Sequence, residues 1–394
     1  MIPGVLDKRL TVKPISRVSP SRYDAMRQCS LREVWQAGGE PFLLPVSPAA
    51  RLGSAIHQLL EDAGRGRLTP GDHEAMEHRW DELVGEAEST MRASWLERQF
   101  VPLRLSVPDF EVRQRRAQQR ALTIAHAADL ARSKPAQGRM TAGFEMWVAT
   151  PDGSVGGYID HVVESRDGPI LRDYKSGSIH DAAAGASANT VKESFVRQMR
   201  LYAALYAKTT GSWPAKLELV PLDGASAEIP FDAAVCEVLL EEAISTRGRI
   251  NSTVVELASR PEDAEVRLAS PSAASCRQCL FRPACLPYRQ ARRNASDDEE
   301  WPNDVWGELH EMRELGNGKL LITIRTGPTA RDLIHIRGIT AGSERHAALK
   351  HLHQGDLLGV FGLKGVAAAG MLSETPWTVI YKIAAVKMED DKHS

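Results

Sequence analysis

The sequence predicts a mixed α/β protein, and three observations along its 394 residues support that class. Apolar spacing and long charged stretches typical of helices fill residues 19–132. A β-rich stretch with turn-forming dipeptides begins near residue 143, and a second β-rich region follows residue 300. Because the first strands are consecutive and are followed by one helix and one strand, we expect an α/β core that is not doubly wound.

The N-terminal helices are indicated by caps and by apolar spacing. Ser19 or Ser21 can cap a first helix that carries Tyr23 and Met26 on one side. One amphipathic helix and two long, charged helices are predicted after it, and the two charged helices are expected to have structural roles. The predicted helices of this region cover about 19–30, 52–61, 72–100 and 111–132.

A three-stranded meander is predicted next, because the dipeptides 152–153 and 167–168 are both Asp-Gly and separate β-rich runs. Further elements lead from the meander to a cysteine-rich segment. In order, the predicted elements are strands at about 143–150, 155–164 and 169–175, a helix at about 190–208, a strand at 216–222 and helices at about 231–250.

The C-terminal region is expected to form a second domain. Residues 291–300 are polar, end in four acidic residues and have the composition of a linker. Beyond them, five predicted strands have a short helix, 343–352, between the third and the fourth, which is the order of an OB-like β-barrel. We therefore predict two domains, 1–295 and 301–390. The five strands are expected at 305–312, 319–325, 332–339, 356–363 and 377–386.

Charge and hydropathy exclude some classes of protein. The formal net charge is −2, so any nucleic-acid-binding surface must be local. A basic helical stretch either contacts phosphates or faces solvent. No apolar run approaches the roughly 18 residues of a membrane span, and the first 20 residues lack a signal peptide's apolar segment, so we expect a cytoplasmic protein without a membrane partner. The basic stretch consists of Arg104, Arg113, Arg115, Arg116 and Arg120.

The cysteines predict a metal centre. Three of the five, Cys276, Cys279 and Cys285, lie within ten residues, in C-R-Q-C-L-F-R-P-A-C. An odd number of cysteines without an export signal argues against disulfides, and C-x2-C is a metal-ligand spacing. The other two are Cys29 and Cys236. On spacing alone, zinc and an iron–sulfur cluster fit equally well.

Three residues of the meander can form a site for a hard cation. Asp160 and Asp173 fall on adjacent antiparallel strands, and Lys175 projects from the same face as Asp173. Two carboxylates beside an ammonium suit Mg²⁺ or Mn²⁺ and the hydrolysis of a phosphodiester. The alternative is a surface salt bridge across a hairpin.

Two further patterns flank these residues. His57 lies on a predicted helix within R-L-G-S-A-I-H-Q-L-L-E, where a lone histidine is more often packed or solvated than functional. Gln198 and Tyr202 in Q-M-R-L-Y share one helix face at i and i+4. Glu145, on the first strand of the meander, is expected to support the site without binding metal.

Taken in order, these motifs resemble a known family. One Cys, then G-x-x-x-H-x-x-L-E, G-x-x-D, D-x-K, Q-x-x-x-Y and C-x2-C-x5-C occur over residues 19–290. This set resembles the PD-(D/E)XK nuclease superfamily, and more narrowly its RecB-like branch with an iron–sulfur cluster. That branch includes CRISPR-associated RecB-like exonucleases and the AddB nuclease domain.

The resemblance implies a restriction-endonuclease-like core with helical insertions and an iron–sulfur clasp. It implies that His57, Asp160 and Asp173 bind Mg²⁺ or Mn²⁺, that Lys175 is the catalytic lysine, and that Gln198 and Tyr202 position substrate and metal-site groups. The implied ligands of a 4Fe-4S cluster are Cys29, Cys276, Cys279 and Cys285, whereas Cys236 matches nothing and is expected to be a small buried residue.

The function expected from the resemblance is a metal-dependent deoxyribonuclease, an exonuclease on single-stranded DNA ends, in DNA repair, recombination or phage defence. The chain has no P-loop motif, so unwinding would need a separate helicase or a defence-complex subunit. The alternatives are a non-catalytic iron–sulfur nucleic-acid-binding subunit of a helicase–nuclease or defence complex, and a zinc-stabilised structural protein.

Overall fold

The computed structural model describes residues 3–132, 143–181, 190–295, 300–329, 332–341, 344–366 and 370–384. Helices and two separate sheets form a mixed α/β architecture, as the sequence predicts. The α-helices are α1 (Pro20–Gln28), α2 (Ser30–Ala37), α3 (Pro48–Gly64), α4 (His73–Ala93), α5 (Leu103–Ser106), α6 (Phe110–Arg132), α7 (Glu193–Thr210), α8 (Ala233–Glu256), α9 (Pro261–Leu268), α10 (Ala273–Arg277) and α11 (Leu286–Arg293). The strands are β1 (Val5–Leu6), β2 (Gly143–Ala149), β3 (Gly156–Val163), β4 (Ile170–Lys175), β5 (Lys216–Pro221), β6 (Ala227–Glu228), β7 (Val305–Glu314), β8 (Lys319–Arg325), β9 (Leu333–Thr340), β10 (Leu357–Phe361), β11 (Lys364–Val366), β12 (Met371–Ser373) and β13 (Val379–Ile383).

Local sequence signals set several helix ends. Pro48 occupies the first turn of α3, where its missing N–H costs nothing. The carboxylate of Asp232 caps α8, and Gly211 ends α7 with a left-handed φ of 82°. The first predicted helix is two helices, because Cys29 between them is extended, with φ −159° and ψ 105°. Among the described residues, no helix combines the length and the apolar character that a bilayer span requires.

The central sheet has the strand order β2-β3-β4-β5-β6. The first three strands form the predicted antiparallel meander, and β4 pairs with β5 in parallel across the crossover helix α7. The short strand β6, which the sequence analysis did not predict, pairs antiparallel with β5. The carboxyl end of β4 is therefore flanked by a strand on each side and by α7.

Helices cover both faces of the central sheet. Tyr174 and Val220 belong to the apolar cluster built with α3, α4 and α6, whereas Leu171 and Leu219 belong to the cluster built with α7 and α8. Alternate residues of a strand point to opposite faces of the sheet. Leu171, Asp173 and Lys175 therefore share the face that packs against α7. This alternation directs the end of β4 toward α7.

The second sheet is C-terminal and has the order β1-β13-β10-β7-β8-β9-β12-β11. The five predicted strands correspond to β7, β8, β9, β10 and β13, and the predicted short helix is the 3-10 segment Glu344–His351. The short strands β11 and β12 were not predicted. Among the described residues, β1 and β11 stand at opposite ends of the pairing order, so closure into an OB-like barrel stays a prediction.

The C-terminal sheet and the helical region share one apolar core. Strand β1 pairs in parallel with β13, with Val5 opposite Lys382. The Tyr381 hydroxyl donates a hydrogen bond of 2.8 Å to the Leu43 carbonyl, and the Tyr381 ring lies 5.7 Å from the ring of Trp95. The division at residues 295–301 stays a prediction, but the first strand belongs to the C-terminal sheet and the two parts bury apolar surface against each other.

A buried ion pair also joins the two parts. The Asp304 side chain has no exposed surface and accepts hydrogen bonds from Arg282 Nε at 2.6 Å and from the Tyr288 hydroxyl at 2.7 Å. Its other oxygen accepts from the Gly362 amide at 2.8 Å. Arg282 donates in addition to the Cys279 carbonyl at 3.3 Å. One carboxylate thus connects the cysteine-rich segment to the C-terminal sheet.

We predict that Asp304→Ala lowers the free energy of unfolding by about 3–5 kcal/mol, because it leaves the buried Arg282 guanidinium without its counter-ion. Asp263→Ala is the matched control, since Asp263 is 54% exposed in its ion pair with Arg260 and its loss is expected to cost less than about 1 kcal/mol. Denaturant unfolding measures both. Equal small losses in the two variants would contradict the role given to Asp304.

A second buried carboxyl group lies on α9. Glu265 is 4% exposed, and this burial raises its pKa to about 7. The nearby carboxylate of Glu262 raises the pKa further, and Arg9 opposes both effects. The folded protein therefore holds a proton on Glu265 between about pH 4.3, where the unfolded side chain titrates, and pH 7.

We predict that the free energy of unfolding falls as pH rises through this window and that Glu265→Gln removes this fall. The folded state binds more protons there than the unfolded state, so stability decreases with pH until the folded-state pKa is passed. The variant should exceed the wild-type protein by at most about 4 kcal/mol above pH 7, and by little at pH 4.5. Thermal unfolding from pH 4.5 to 8.5 measures the difference. The control is Glu256→Gln, which keeps Glu265 and should therefore keep the fall seen in the wild-type protein.

Candidate active site

A pocket of about 540 Å³ opens at the carboxyl end of β4. The structure brings together here all six side chains that the sequence analysis proposed for the metal and catalytic site; their individual roles stay predictions. They are His57, Asp160, Asp173, Lys175, Gln198 and Tyr202.

The two aspartates face each other across β3 and β4. The register that pairs His161 with Arg172 places Asp160 opposite Asp173 at the next position. Asp160 Oδ2 accepts a hydrogen bond of 2.8 Å from the Tyr174 amide. Burial, and after it the neighbouring Asp173, raise the pKa of Asp160 well above its usual range. Two buried carboxylates this close repel each other unless a proton or a cation lies between them.

Gln198 joins Asp173 to Lys175. Lys175 Nζ donates to Gln198 Oε1 at 2.9 Å, and Gln198 Nε2 donates to Asp173 Oδ1 at 2.8 Å. The ammonium also lies 2.6 Å from Asp173 Oδ2 and 4.5 Å from the centre of the Phe195 ring. Because the Gln198 amide donates to Asp173 and accepts from Lys175, it fixes the positions of both side chains.

Tyr202 lies one turn beyond Gln198 on α7 and is buried. A Cβ atom at Gly157 would lie 3.3 Å from the Tyr202 hydroxyl, so the glycine of the G-x-x-D motif leaves room for this side chain. Burial, Asp173 and Asp160 together raise the pKa of Tyr202. The phenol therefore stays protonated and is available as a hydrogen-bond donor in the pocket.

His57 approaches the carboxylates from α3. Its Nδ1 lies 3.7 Å from Asp160 Oδ2, and burial lowers its pKa, which favours the neutral imidazole that ligates metals. One turn earlier, a Cβ at Gly53 would lie 2.9 Å from Ser176 Oγ, directly after β4. The G-x-x-x-H spacing thus lets the helix pack closely on the end of β4 and places the histidine at the pocket.

Further side chains surround the site. Glu145, which the sequence analysis expected to support it, lines an adjoining pocket of about 410 Å³ together with Glu61 and His57. Glu145 has a positive φ of 52°, and burial followed by Glu61 raises its pKa. Trp147 and Tyr158 line the main pocket, and no motif in the sequence indicated them. Strand register places these side chains, and single residues in a strand pattern give no signal of it.

The arginines of α6 bind protein groups at the ends of two strands. Arg113 donates to the Ser176 carbonyl at 3.4 Å, and Arg120 donates to the Pro221 carbonyl at 3.2 Å. Arg116 pairs with Asp223 at 3.0 Å. These contacts hold α6 against the ends of β4 and β5, a role that the sequence analysis did not consider.

Four of the five cysteines lie together, and their role as cluster ligands stays a prediction. They line one small cavity, in which burial raises the pKa of Cys285 well above the usual range and that of Cys279 to about 11. Neighbouring thiols add to both shifts. Cys236 is fully buried and does not line this cavity. The four that do are Cys29, Cys276, Cys279 and Cys285.

As the side chains stand, no three histidine, cysteine, aspartate or glutamate side chains within the described ranges are grouped to hold a metal ion. At the main pocket Asp173 is turned toward Lys175 and Gln198, so ion binding requires its carboxylate to rotate. Asp173 Oδ2 is buried and, apart from its ion pair, accepts no hydrogen bond from any described residue. A four-iron cluster binds one thiolate at each iron, so its sulfur atoms need not converge on one point.

Comparisons with known proteins identify the family. The family model of the PD-(D/E)XK nuclease superfamily matches residues 17–286, so the chain belongs to this superfamily. Its members are typically metal-dependent nucleases. No curated protein matches the chain. A solved structure titled "Crystal structure of SSO0001" is similar over 45% of this chain and 78% of its own, at 17% identity and a TM-score of 0.22, which is too low to support an argument.

Proposed function

We propose that the protein is a metal-dependent deoxyribonuclease that hydrolyses single-stranded DNA from an end. The observation that carries this proposal is the pocket in which short polar contacts join Asp173, Lys175 and Gln198, with Asp160 and His57 beside them. Membership of the nuclease superfamily supports the reaction class. The preference for ends and for single strands rests on the resemblance to the RecB-like branch.

The donors of the pocket suit Mg²⁺ or Mn²⁺. Asp160 and Asp173 offer carboxylate oxygens and His57 a neutral imidazole, which are ligands that such cations accept. When bound, the cation would polarise the scissile phosphate and lower the pKa of a water molecule. The mutual repulsion of the two aspartates favours occupation by a cation.

Lys175 is the side chain placed to act on the reacting phosphate. Its ammonium is held by Gln198 and Asp173 and lies over the Phe195 ring, so its position is fixed before substrate arrives. A positioned ammonium stabilises the negative charge that develops on the phosphate, or holds the attacking water. Gln198 then acts as a positioning residue, and Tyr202 donates a hydrogen bond within the same pocket.

The four clustered cysteines are proposed to bind a 4Fe-4S cluster. Cys29 lies between α1 and α2, and the other three lie near α10 and α11, so the cluster would connect opposite ends of the proposed nuclease domain. Bound iron would compensate the electrostatic cost of several thiolates in one buried cavity. The C-terminal sheet is proposed to be OB-like and to contact the DNA strand or a separate helicase or defence-complex subunit.

We predict that Asp173→Asn and Lys175→Ala each reduce cleavage at least about 100-fold, because each removes a group that acts on the phosphate or holds the cation. End-labelled single- and double-stranded DNA with Mg²⁺ or Mn²⁺ measures the rate. Arg172→Gln is the matched control, since Arg172 directly precedes Asp173 on β4, lies on the opposite face of the strand and pairs with Glu218 at 2.8 Å. Its rate should stay near that of the wild-type protein.

Cleavage at the wild-type rate by Lys175→Ala would rule out the assigned site. A wild-type protein that binds DNA without cleaving it under any of these conditions would instead support the non-catalytic subunit.

For the cluster, we predict that Cys276→Ser loses iron and that Cys236→Ser retains it, because only Cys276 lines the shared cavity. Metal analysis and visible absorption of anaerobically purified protein measure this. Zinc in place of iron in the wild-type protein, or an iron content that depends on Cys236, would contradict the proposed ligand set.

A further inference from the structure

An exposed aromatic pair lies on the wall of the main pocket. Trp147 on β2 and Tyr158 on β3 are direct cross-strand partners, with ring centres 4.8 Å apart and an edge-to-face orientation. Trp147 is 37% exposed and Tyr158 is 53% exposed, although both are large and aromatic. Both line the pocket that contains Asp160 and Asp173. Unlike the aromatic residues of the core, this pair presents ring surface to the pocket.

Arg17 adds a positive charge to this wall. Its guanidinium lies 4.5 Å from the centre of the Trp147 ring, and its Nε donates to the Gly153 carbonyl at 3.3 Å. The neighbouring Val18 is held by two backbone hydrogen bonds to the β2–β3 connection and β3, with Ser154 and Gly156. The segment that carries Arg17 is therefore held against the β2–β3 hairpin that carries the aromatic pair.

The position of the wall relative to the aspartates suits one nucleotide. Tyr158 precedes Asp160 by two residues on β3, so the two side chains share a face and their Cα atoms are about 7 Å apart. A phosphate held at the aspartates therefore places the adjoining base beside the aromatic pair. In a duplex that base is stacked and paired, whereas in a single strand it is free to stack on a side chain.

We propose that Arg17, Trp147 and Tyr158 form a subsite that stacks one unpaired nucleobase next to the scissile phosphate. This inference rests on the proposed nuclease function and gives a physical reason for a single-strand preference. Stacking accepts any base, because every base has a π face, so the subsite selects unpaired strands without reading their sequence.

The test compares oligothymidylate with an abasic oligonucleotide of the same length, both bound to the full-length protein without divalent cations. Fluorescence anisotropy should show tighter binding of oligothymidylate by the wild-type protein, and Trp147→Ala should weaken that binding about tenfold while leaving the abasic strand unaffected. Trp147→Phe should retain most of the difference in affinity between oligothymidylate and the abasic oligonucleotide. Val238→Ala is the control, because Val238 lies on α8, is 65% exposed and does not line this pocket.

Arg17→Gln and Tyr158→Ala are two further variants at exposed positions. Each should also reduce the difference in affinity between oligothymidylate and the abasic oligonucleotide. With Mg²⁺ or Mn²⁺ present, Trp147→Ala should raise KM for single-stranded DNA more than it lowers kcat. Equal affinities of Trp147→Ala and Val238→Ala for oligothymidylate would overturn the proposal. A wild-type protein that cleaves nothing but shows the Trp147-dependent difference would overturn the nuclease assignment and retain the stacking subsite.

Discussion

The side-chain amide of Gln198 is the contact on which the candidate site depends. It accepts from Lys175 and donates to Asp173, so it satisfies two charged groups that the fold buries at the end of β4. The amide reaches them only because α7 crosses from β4 to β5 and packs on the sheet. The crossover β4–α7–β5 therefore accounts for three features together: the parallel pairing of β4 with β5, the burial of α7 and the positions of the side chains in the pocket.

Local rules explain why much of this arrangement could be predicted from the sequence. Alternation along β4 places Asp173 and Lys175 on one face, and helical spacing places Gln198 and Tyr202 on one face of α7. Turn dipeptides locate the meander. The extended conformation of Cys29 and the pairing of β1 with β13 depend on contacts between distant segments, which no local pattern encodes.

The residues that line the wall of the pocket also could not be predicted from local sequence patterns. Trp147 and Tyr158 meet because β2 and β3 pair in one particular register, and a shift of one strand by one residue would place the two rings on opposite faces of the sheet. Glu145 comes near the pocket through a positive φ, which the sequence does not indicate for a glutamate. Sequence motifs identify the side chains that carry out chemistry, whereas the geometry of strand pairing determines which side chains line the pocket around them.

The parallel pairing of β1 with β13 has a consequence for how the protein is made on the ribosome. Strand β1 emerges before its partner β13, which follows only after the whole nuclease region, a delay on the order of tens of seconds at typical rates of synthesis. Until then, the apolar surface that later receives Tyr381 remains open. The nascent chain therefore carries its complete set of pocket residues well before its core is closed, and this interval is when chaperone binding or aggregation would compete with folding.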